Sequence, residues 1–329
     1  MLHLLQRNSA FGILALLGPR GASAIEAFRD QASSRRLRSR VTAAHSAGNV
    51  ASVKTLILSD LHLGHPSSRL DPAGLEALGR LAARFDRVIL NGDALDRWER
   101  PDPTPEMQAW RARLERTLVS RGGPAELLTG NHDPAISERH YCYLEEAQAL
   151  VFHGDYALDC ASPWMWHAGV FKQTFRAAWS EAGGGDHFAR RAEVFRRVQR
   201  AFLSAHPEDY AKEALRPGPY LLRQMLSPRR AVRIAHYLVR MPAWVARRAA
   251  GFDRPVTRAV VGHSHRAGAW RVGALEVCNT GSFMPFSQPW GLVVEGASVR
   301  REPVAALLDG LGRAVAVPAA GLEGTHPVR

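Results

Sequence analysis

Five short apolar runs recur along this chain, and each ends in polar side chains able to bind metal. The first is VKTLILSD, residues 53–60, whose aliphatic and β-branched positions bounded by polar ones suit a strand buried on both faces. RVILNGD (87–93), AELLTGNHD (125–133), ALVFHGD (149–155) and RAVVGHSH (258–265) repeat the form. Between the first three runs the apolar period changes to that of helices. The pattern predicts helices over 72–85 and 105–120, the second with Met107, Trp110, Leu114 and Leu118 as core contacts, and strands over 53–58, 88–91 and 126–129. Strands alternating with helices imply a sheet with helices outside it, and polar groups at the strands' carboxyl ends occupy the usual place for a site in such sheets. After 258, segments 275–278, 291–295 and 298–300 follow without helices between them, which predicts a second, meander-like sheet.

More than a hundred residues separate His153 from His263, longer than a connecting loop needs. Within them Phe188, Ala192, Phe195, Val198 and Phe202 keep helical spacing, as do Ile234, Leu238, Met241 and Val245 around Pro242, where a kink is expected. The pattern thus divides the chain into a core of residues 51–155 and 258–302 and a helical insertion, 156–257, expected to cap the site. A tail follows at 303–329. Trp164, Trp166 and Trp179, with Phe171 and Phe175, either line an apolar channel or form the insertion's own core.

Composition adds three constraints. A hydrophobic content of 46% over 329 residues is enough for a full core. Cys142, Cys160 and Cys278 form no disulfide or zinc pattern, which points to a reducing compartment and a cytoplasmic protein. Residues 1–50 hold no acid before Glu26 and end in Arg35, Arg36, Arg38 and Arg40; they read as a basic, largely disordered extension, with a secretory or targeting segment as the alternative. No run reaches membrane-spanning length. The net charge is +12, and residues 156–258, with 18 Lys or Arg against 8 Asp or Glu, hold +10 of it. Such a segment is either a solvated basic face or a surface that draws in an anionic substrate or rests on anionic lipid.

The chemistry lies at the strand ends. Asp60 and His62 stand two apart, so extended backbone would send both side chains to one side. A D-x-H pair alone is common. Its recurrence in kind is not: Asp60, His62, Asp93, Asn131, His153, His263 and His265 give seven nitrogen and oxygen ligands, most of them next to a glycine that permits tight turns. The blocks D60-L-H62, G92-D93-A-L-D96, G130-N131-H132-D133, H153-G154-D155 and G262-H263-S264-H265 resemble the signature blocks of the calcineurin-like metallophosphoesterases, over about residues 53–295. The resemblance implies an α/β fold, a two-sheet β-sandwich flanked by helices, here with a helical insertion. It also implies two divalent metal ions. Asp60, His62 and His265 would bind the first, Asn131, His153 and His263 the second, and Asp93 would bridge them. His132 would give a hydrogen bond or proton to the leaving oxygen, with an orienting role as the alternative, and Asp96, Asp133 and Asp155 would orient imidazoles or backbone around the ligands. His65 reads as solvated. A donor set without thiolate suits manganese, iron or zinc, with manganese favoured.

The resemblance implies metal-dependent hydrolysis of a phosphate ester or pyrophosphate bond in an anionic, phosphate-containing substrate, because two cations supply both an activated nucleophile and relief of phosphoryl charge. SDLHLG at 59–64 and Trp98 after GDALD are similar to the bacterial UDP-2,3-diacylglucosamine pyrophosphatases, which carry a helical cap over an acyl-binding groove. Those enzymes commonly have Arg where this chain has His132, which leaves the substrate open. A nuclease or nucleotide phosphodiesterase, whose nucleic acid a basic chain would attract, and a non-catalytic binding module on the same fold remain the other readings.

Overall fold

The computed structural model describes residues 53–96, 103–119, 125–162, 165, 167–206, 228–285 and 287–310. The readings made above for residues 1–50, for the tail beyond 310 and for Ser120, Trp98, Trp164 and Trp166 fall outside these residues.

Among the described residues ten strands form two five-stranded sheets. In the first, β1 (Lys54–Leu58), β2 (Arg87–Asn91) and β3 (Ala125–Leu128) run parallel, and β9 (Trp290–Glu295) and β10 (Ser298–Pro303) extend it antiparallel on the β1 side. In the second the order is β4 (Tyr141–Leu144), β5 (Ala149–Phe152), β6 (Arg258–Val261), β8 (Leu275–Asn279) and β7 (Gly268–Val272), with β5, β6 and β8 parallel. The expected meander is therefore split. The β7–β8 hairpin stays in the second sheet, while the β9–β10 hairpin returns to pair with β1, where Leu292 and Val294 join the core between the sheets.

Side-chain alternation explains why two sheets stack. On β1, Ile57 faces the inter-sheet core while Leu56 and Leu58 face the helices; on β5, Val151 faces inward while Leu150 and Phe152 face outward, and β6 repeats this with Val260 against Ala259 and Val261. The continuous apolar runs seen in the sequence are thus strands covered on both faces. Each fully buried aliphatic side chain contributes roughly 1.5–3 kcal/mol.

Helix α1 (Pro72–Ala82) covers the outer face of the first sheet. It starts where Asp71 caps Gly74 N at 2.7 Å with Pro72 in the first turn, and it stops three residues short of the predicted end. Helix α2 (Pro105–Leu114) passes into a π turn at Glu115–Val119; Met107, Leu114 and Leu118 are buried, with Trp110 packed partly buried.

Helices α3 (Ala168–Glu181), α4 (Phe188–Ala205) and α5 (Pro228–Ala249) share one core with the outer face of the second sheet. Phe188, Ala192, Phe195, Val198 and Phe202 form the buried stripe of α4, and α5 runs through Pro242 as one helix, so no break occurs there. Phe171 and Phe175 are fully buried in this core, which resolves those two as packing rather than channel residues. A short α6 (Val304–Asp309) closes against α1. Among the described residues no helix is long and apolar enough to cross a membrane.

Candidate metal centre

The carboxyl ends of five parallel strands from both sheets meet at one place. Asp60 follows β1, Asp93 follows β2, Asn131 and His132 follow β3, His153 follows β5, and His263 and His265 follow β6. Asn91, the last residue of β2, holds the two sheets together there: its amide donates to Phe152 O at 3.0 Å and Val260 O at 3.3 Å.

The backbone at these ends is unusual. Among the described residues six non-glycine positions have positive φ, and five are Asp60 (+53°), His62 (+48°), Asp93 (+51°), His263 (+64°) and His265 (+55°). Asp60 and His62 therefore do not converge through extended backbone, as the two-residue spacing suggests; both sit in the left-handed region. Each such residue costs on the order of 1 kcal/mol or more, so the strain persists only because neighbours enforce it. Asp60 N and His62 N bond to Gly92 O and Asp93 O at 3.1 and 2.9 Å, locking the first block to the second. A Cβ on Gly130 would collide with the Asp93 carboxylate and one on Gly262 with that of Asp60, so glycine there is a condition of the close approach.

Among the described residues the side chains fall into three overlapping groups, Asp60, His62 and His265; Asp93, His153 and His263; and, between them, His62, Asp93 and His132. In the first, His62 Nε2 lies 3.1 Å from His265 Nε2, and Asp60 Oδ1 lies 3.3 Å from His265 Nε2. In the second, His153 Nε2 lies 3.1 Å from both Asp93 Oδ2 and Asn131 Oδ1, and Asn131 Oδ1 is 2.6 Å from His263 Nδ1. Asp93 Oδ2 is also 3.8 Å from His62 Nε2, so this carboxylate stands between the groups.

Burial raises the Asp93 carboxyl, yet His153, His132 and His62 around it hold it well below the usual range. Against the pull of burial, Asp93 and Asp60 push the His153 imidazole up to about 10. His263 is driven down to about 3 by burial and by His153, so it stays the neutral base a metal requires. Two buried atoms in this cluster are poorly satisfied: His263 Nε2 has no hydrogen-bond partner, and Asp93 Oδ2 has only its ion-pair contacts with His153 and His62. Crowded carboxylates and lone-pair nitrogens with unsatisfied buried atoms fit divalent cations, and nitrogen and oxygen donors without sulfur fit manganese, iron or zinc.

The supporting residues occupy distinct places. Asp96 Oδ1 lies 3.0 Å from His132 Nδ1 and 3.4 Å from His62 Nδ1. Asp133 accepts the backbone N–H groups of Asp93, Ala94, Leu95 and Gly130; burial and the neighbouring Asp93 raise its carboxyl to about 6. Asp155 pairs with Arg196, and both are buried. His153 Nδ1 is 2.9 Å from Asn91 O, which leaves Nε2 for the cluster. His65 is half-buried rather than fully solvated, its Nδ1 accepting from Ser67 N at 2.9 Å.

Arg196, Gln199, Asn279 and Tyr237 are at or beside this centre without having stood out in the sequence. Asn279 donates to Gly262 O at 2.5 Å, and the Tyr237 ring lies 5.9 Å from that of His263. Arg196 belongs to a basic run that, without the fold, is indistinguishable from a solvated face. Arg191, Arg196 and Arg200 in fact turn to partners within the protein, so part of the insertion's positive charge is not surface.

No family model matches the chain. A UDP-2,3-diacylglucosamine hydrolase of Actinobacillus succinogenes is 28% identical over 128 residues, 37% of this chain and 54% of the relative; the chain thus spans about half the length of that relative. Solved structures are more distant. A predicted phosphoesterase from Streptococcus pneumoniae is 14% identical, with 77% of this chain and 88% of that chain covered, at a TM-score of 0.30. A dimetal phosphatase from Danio rerio is 7% identical (77% and 99% covered, TM-score 0.33), and Vacuolar Protein Sorting 29 from Cryptosporidium parvum 10% identical (77% and 96% covered, TM-score 0.33). In its two-sheet architecture and in the Asp, Asn and His residues at five strand ends, this chain is similar to the calcineurin-like metallophosphoesterases.

Proposed function

We propose that this chain hydrolyses phosphoric ester or pyrophosphate bonds with two divalent cations, manganese favoured. The observation that carries the reading is the left-handed backbone at five of the seven ligand positions, a cost that packing alone does not call for. Asp60, His62 and His265 would hold one cation, Asn131, His153 and His263 the other, and Asp93 both. When bound, the cations lower the pKa of water and neutralise charge on the phosphoryl oxygens.

The rest falls to the chain's own groups. Asp96 steadies the His132 ring through Nδ1, so Nε2 is the atom that gives a hydrogen bond or proton to the leaving oxygen. Asp133 gathers four N–H groups and so fixes the loops that carry Asp93 and Asn131. In this reading residues 51–155 and 258–302 form the catalytic core and 156–257 an insertion beside it.

For the substrate, the similarity to the Actinobacillus succinogenes protein favours a UDP-diacylglucosamine-like lipid. The outward face of α5 adds an independent observation. Val232 and Val239 are 68% and 70% exposed, and the exposed Arg233, Arg240 and Arg247 run beside them at seven-residue spacing. An apolar strip flanked by guanidinium groups suits the surface of an anionic membrane, so the reading places the protein in the cytoplasm with a peripheral lipid contact.

The test is a screen with added manganese, iron or zinc, comparing bis-para-nitrophenyl phosphate, single-stranded DNA and a UDP-sugar lipid. Turnover of the lipid above the others supports the full reading. Preference for DNA moves the protein to the nucleases, and absence of turnover on every phosphate compound with every metal leaves only the non-catalytic alternative.

A further inference from the structure

One face of α4 is polar, and all of it is aimed at the loop after β3. Glu193, Arg196, Gln199 and Arg200 lie at i, i+3, i+6 and i+7, the spacing of a single helix face. Arg196 donates from Nη2 to Thr129 O and from Nη1 to Gly130 O, both at 2.8 Å. Gln199 Nε2 donates to Asn131 O at 3.0 Å. Arg200 Nε reaches Pro134 O at 2.7 Å, and Glu193 holds His140, whose other ring nitrogen is 3.0 Å from Thr129 Oγ1. Four carbonyls along 129–134, belonging to no strand or helix, therefore find their partners on a helix 66 to 68 residues away. A buried carbonyl needs such a partner.

An ion pair such as Arg196–Asp155 is weak evidence for stability, because desolvating two charges carries a cost that apolar packing would not. What the pair and its neighbours do achieve is position. Arg196 grips Asp155 with both terminal nitrogens, and Nη1 also donates to the Gln199 Oε1 at 2.6 Å. The Gln199 side chain is thereby fixed, fully buried, with its amide on the backbone of the residue whose Oδ1 sits between His153 and His263. The chain thus joins the block H153-G154-D155 to the block G130-N131-H132 through α4.

We propose that Arg196 and Gln199 are positioning residues for one of the two metal sites, the one to which Asn131 belongs, so that α4 is a structural part of the metal centre. The inference rests on the two-cation reading above. Gln199→Met keeps side-chain length and removes the donor to Asn131 O. Manganese titration by calorimetry is expected to show two sites in the wild-type chain, and in Gln199→Met one unchanged site and one weakened by about 10- to 100-fold. Arg190→Met, an exposed position on the same helix, is expected to keep both. Equal weakening of both sites, or affinities unchanged from wild type, overturns the positioning role while leaving two-metal binding intact. A wild-type chain that binds no metal overturns the functional reading and this inference together.

Discussion

At the scale of single residues, Asp93 has the most to lose. Its Oδ1 accepts His132 N at 2.8 Å while Oδ2 stands between the two ligand groups, so its charge matters more than its shape. Asp93→Asn keeps the shape and is expected to lower metal-dependent hydrolysis at least about 1000-fold with far-ultraviolet circular dichroism unchanged. His132→Ala is expected to lower kcat by about 100- to 10,000-fold with metal content unchanged, as the proposed donor role requires; a loss of metal would instead make it a ligand beside His62 and Asp93. Metal analysis beside the rates separates the two roles. The cysteines behave otherwise. Burial pushes the Cys278 thiol up to about 11. Roughly one molecule in a thousand then carries the thiolate at pH 8, against about one in four for a free thiol. Iodoacetamide is expected to label Cys278 at least about 100-fold more slowly in the folded protein than after unfolding, as read by mass spectrometry. That difference should narrow as the pH rises toward 11.

At the scale of elements, Asp159 ties three helices to one point. Arg191 of α4 lies 2.9 Å from Oδ1, Arg176 of α3 2.9 Å from Oδ2, and Arg248 of α5 3.6 Å from Oδ1. Burial raises this carboxyl, but Arg191 and Arg176 outweigh it and hold it below its ordinary value. A depressed carboxylate stabilises the fold above the unfolded pKa near 4, and that contribution fades as pH falls through the folded value. Asp159→Asn is expected to cost about 1 kcal/mol at neutral pH, kept small by partial exposure. In urea melts the gap from wild type should close below pH 4; a gap that persisted there would assign the loss to packing. The elements also show where patterns mislead. The stripe from Phe188 to Phe202 reads correctly as a buried helix face because apolar burial obeys a period. The β9–β10 hairpin could not be assigned to a sheet that way, since every buried strand offers the same alternation and only the pairing of Leu292 with Ile57 decides the partner.

For the whole molecule, the candidate centre joins both sheets, so the proposed cation binding would be coupled to folding. Carboxylates and imidazoles held together without their cations leave buried charge incompletely compensated. A cation that binds only the folded state stabilises it by about 2.7 kcal/mol per site at a hundredfold excess over Kd. Manganese added to metal-stripped protein is thus expected to raise Tm by about 5–10 °C in calorimetry, reversed by a chelator. Absence of any shift would count against cations bound in the folded centre.

The amino-acid sequence by itself determined which candidate ligand side chains the chain carries and where along it they stand, because strand, glycine and polar side chain recur in one order and each is a local property. It also determined that strands are buried on both faces and that α4 is amphipathic. Only the tertiary structure decided how these side chains converge, since the left-handed turns at Asp60, His62, Asp93, His263 and His265 are strained states imposed by neighbouring strand ends. It alone separated Arg196 and Gln199 from solvated charge, because a polar helix face reads the same whether it meets water or the carbonyls of a loop far away in the chain.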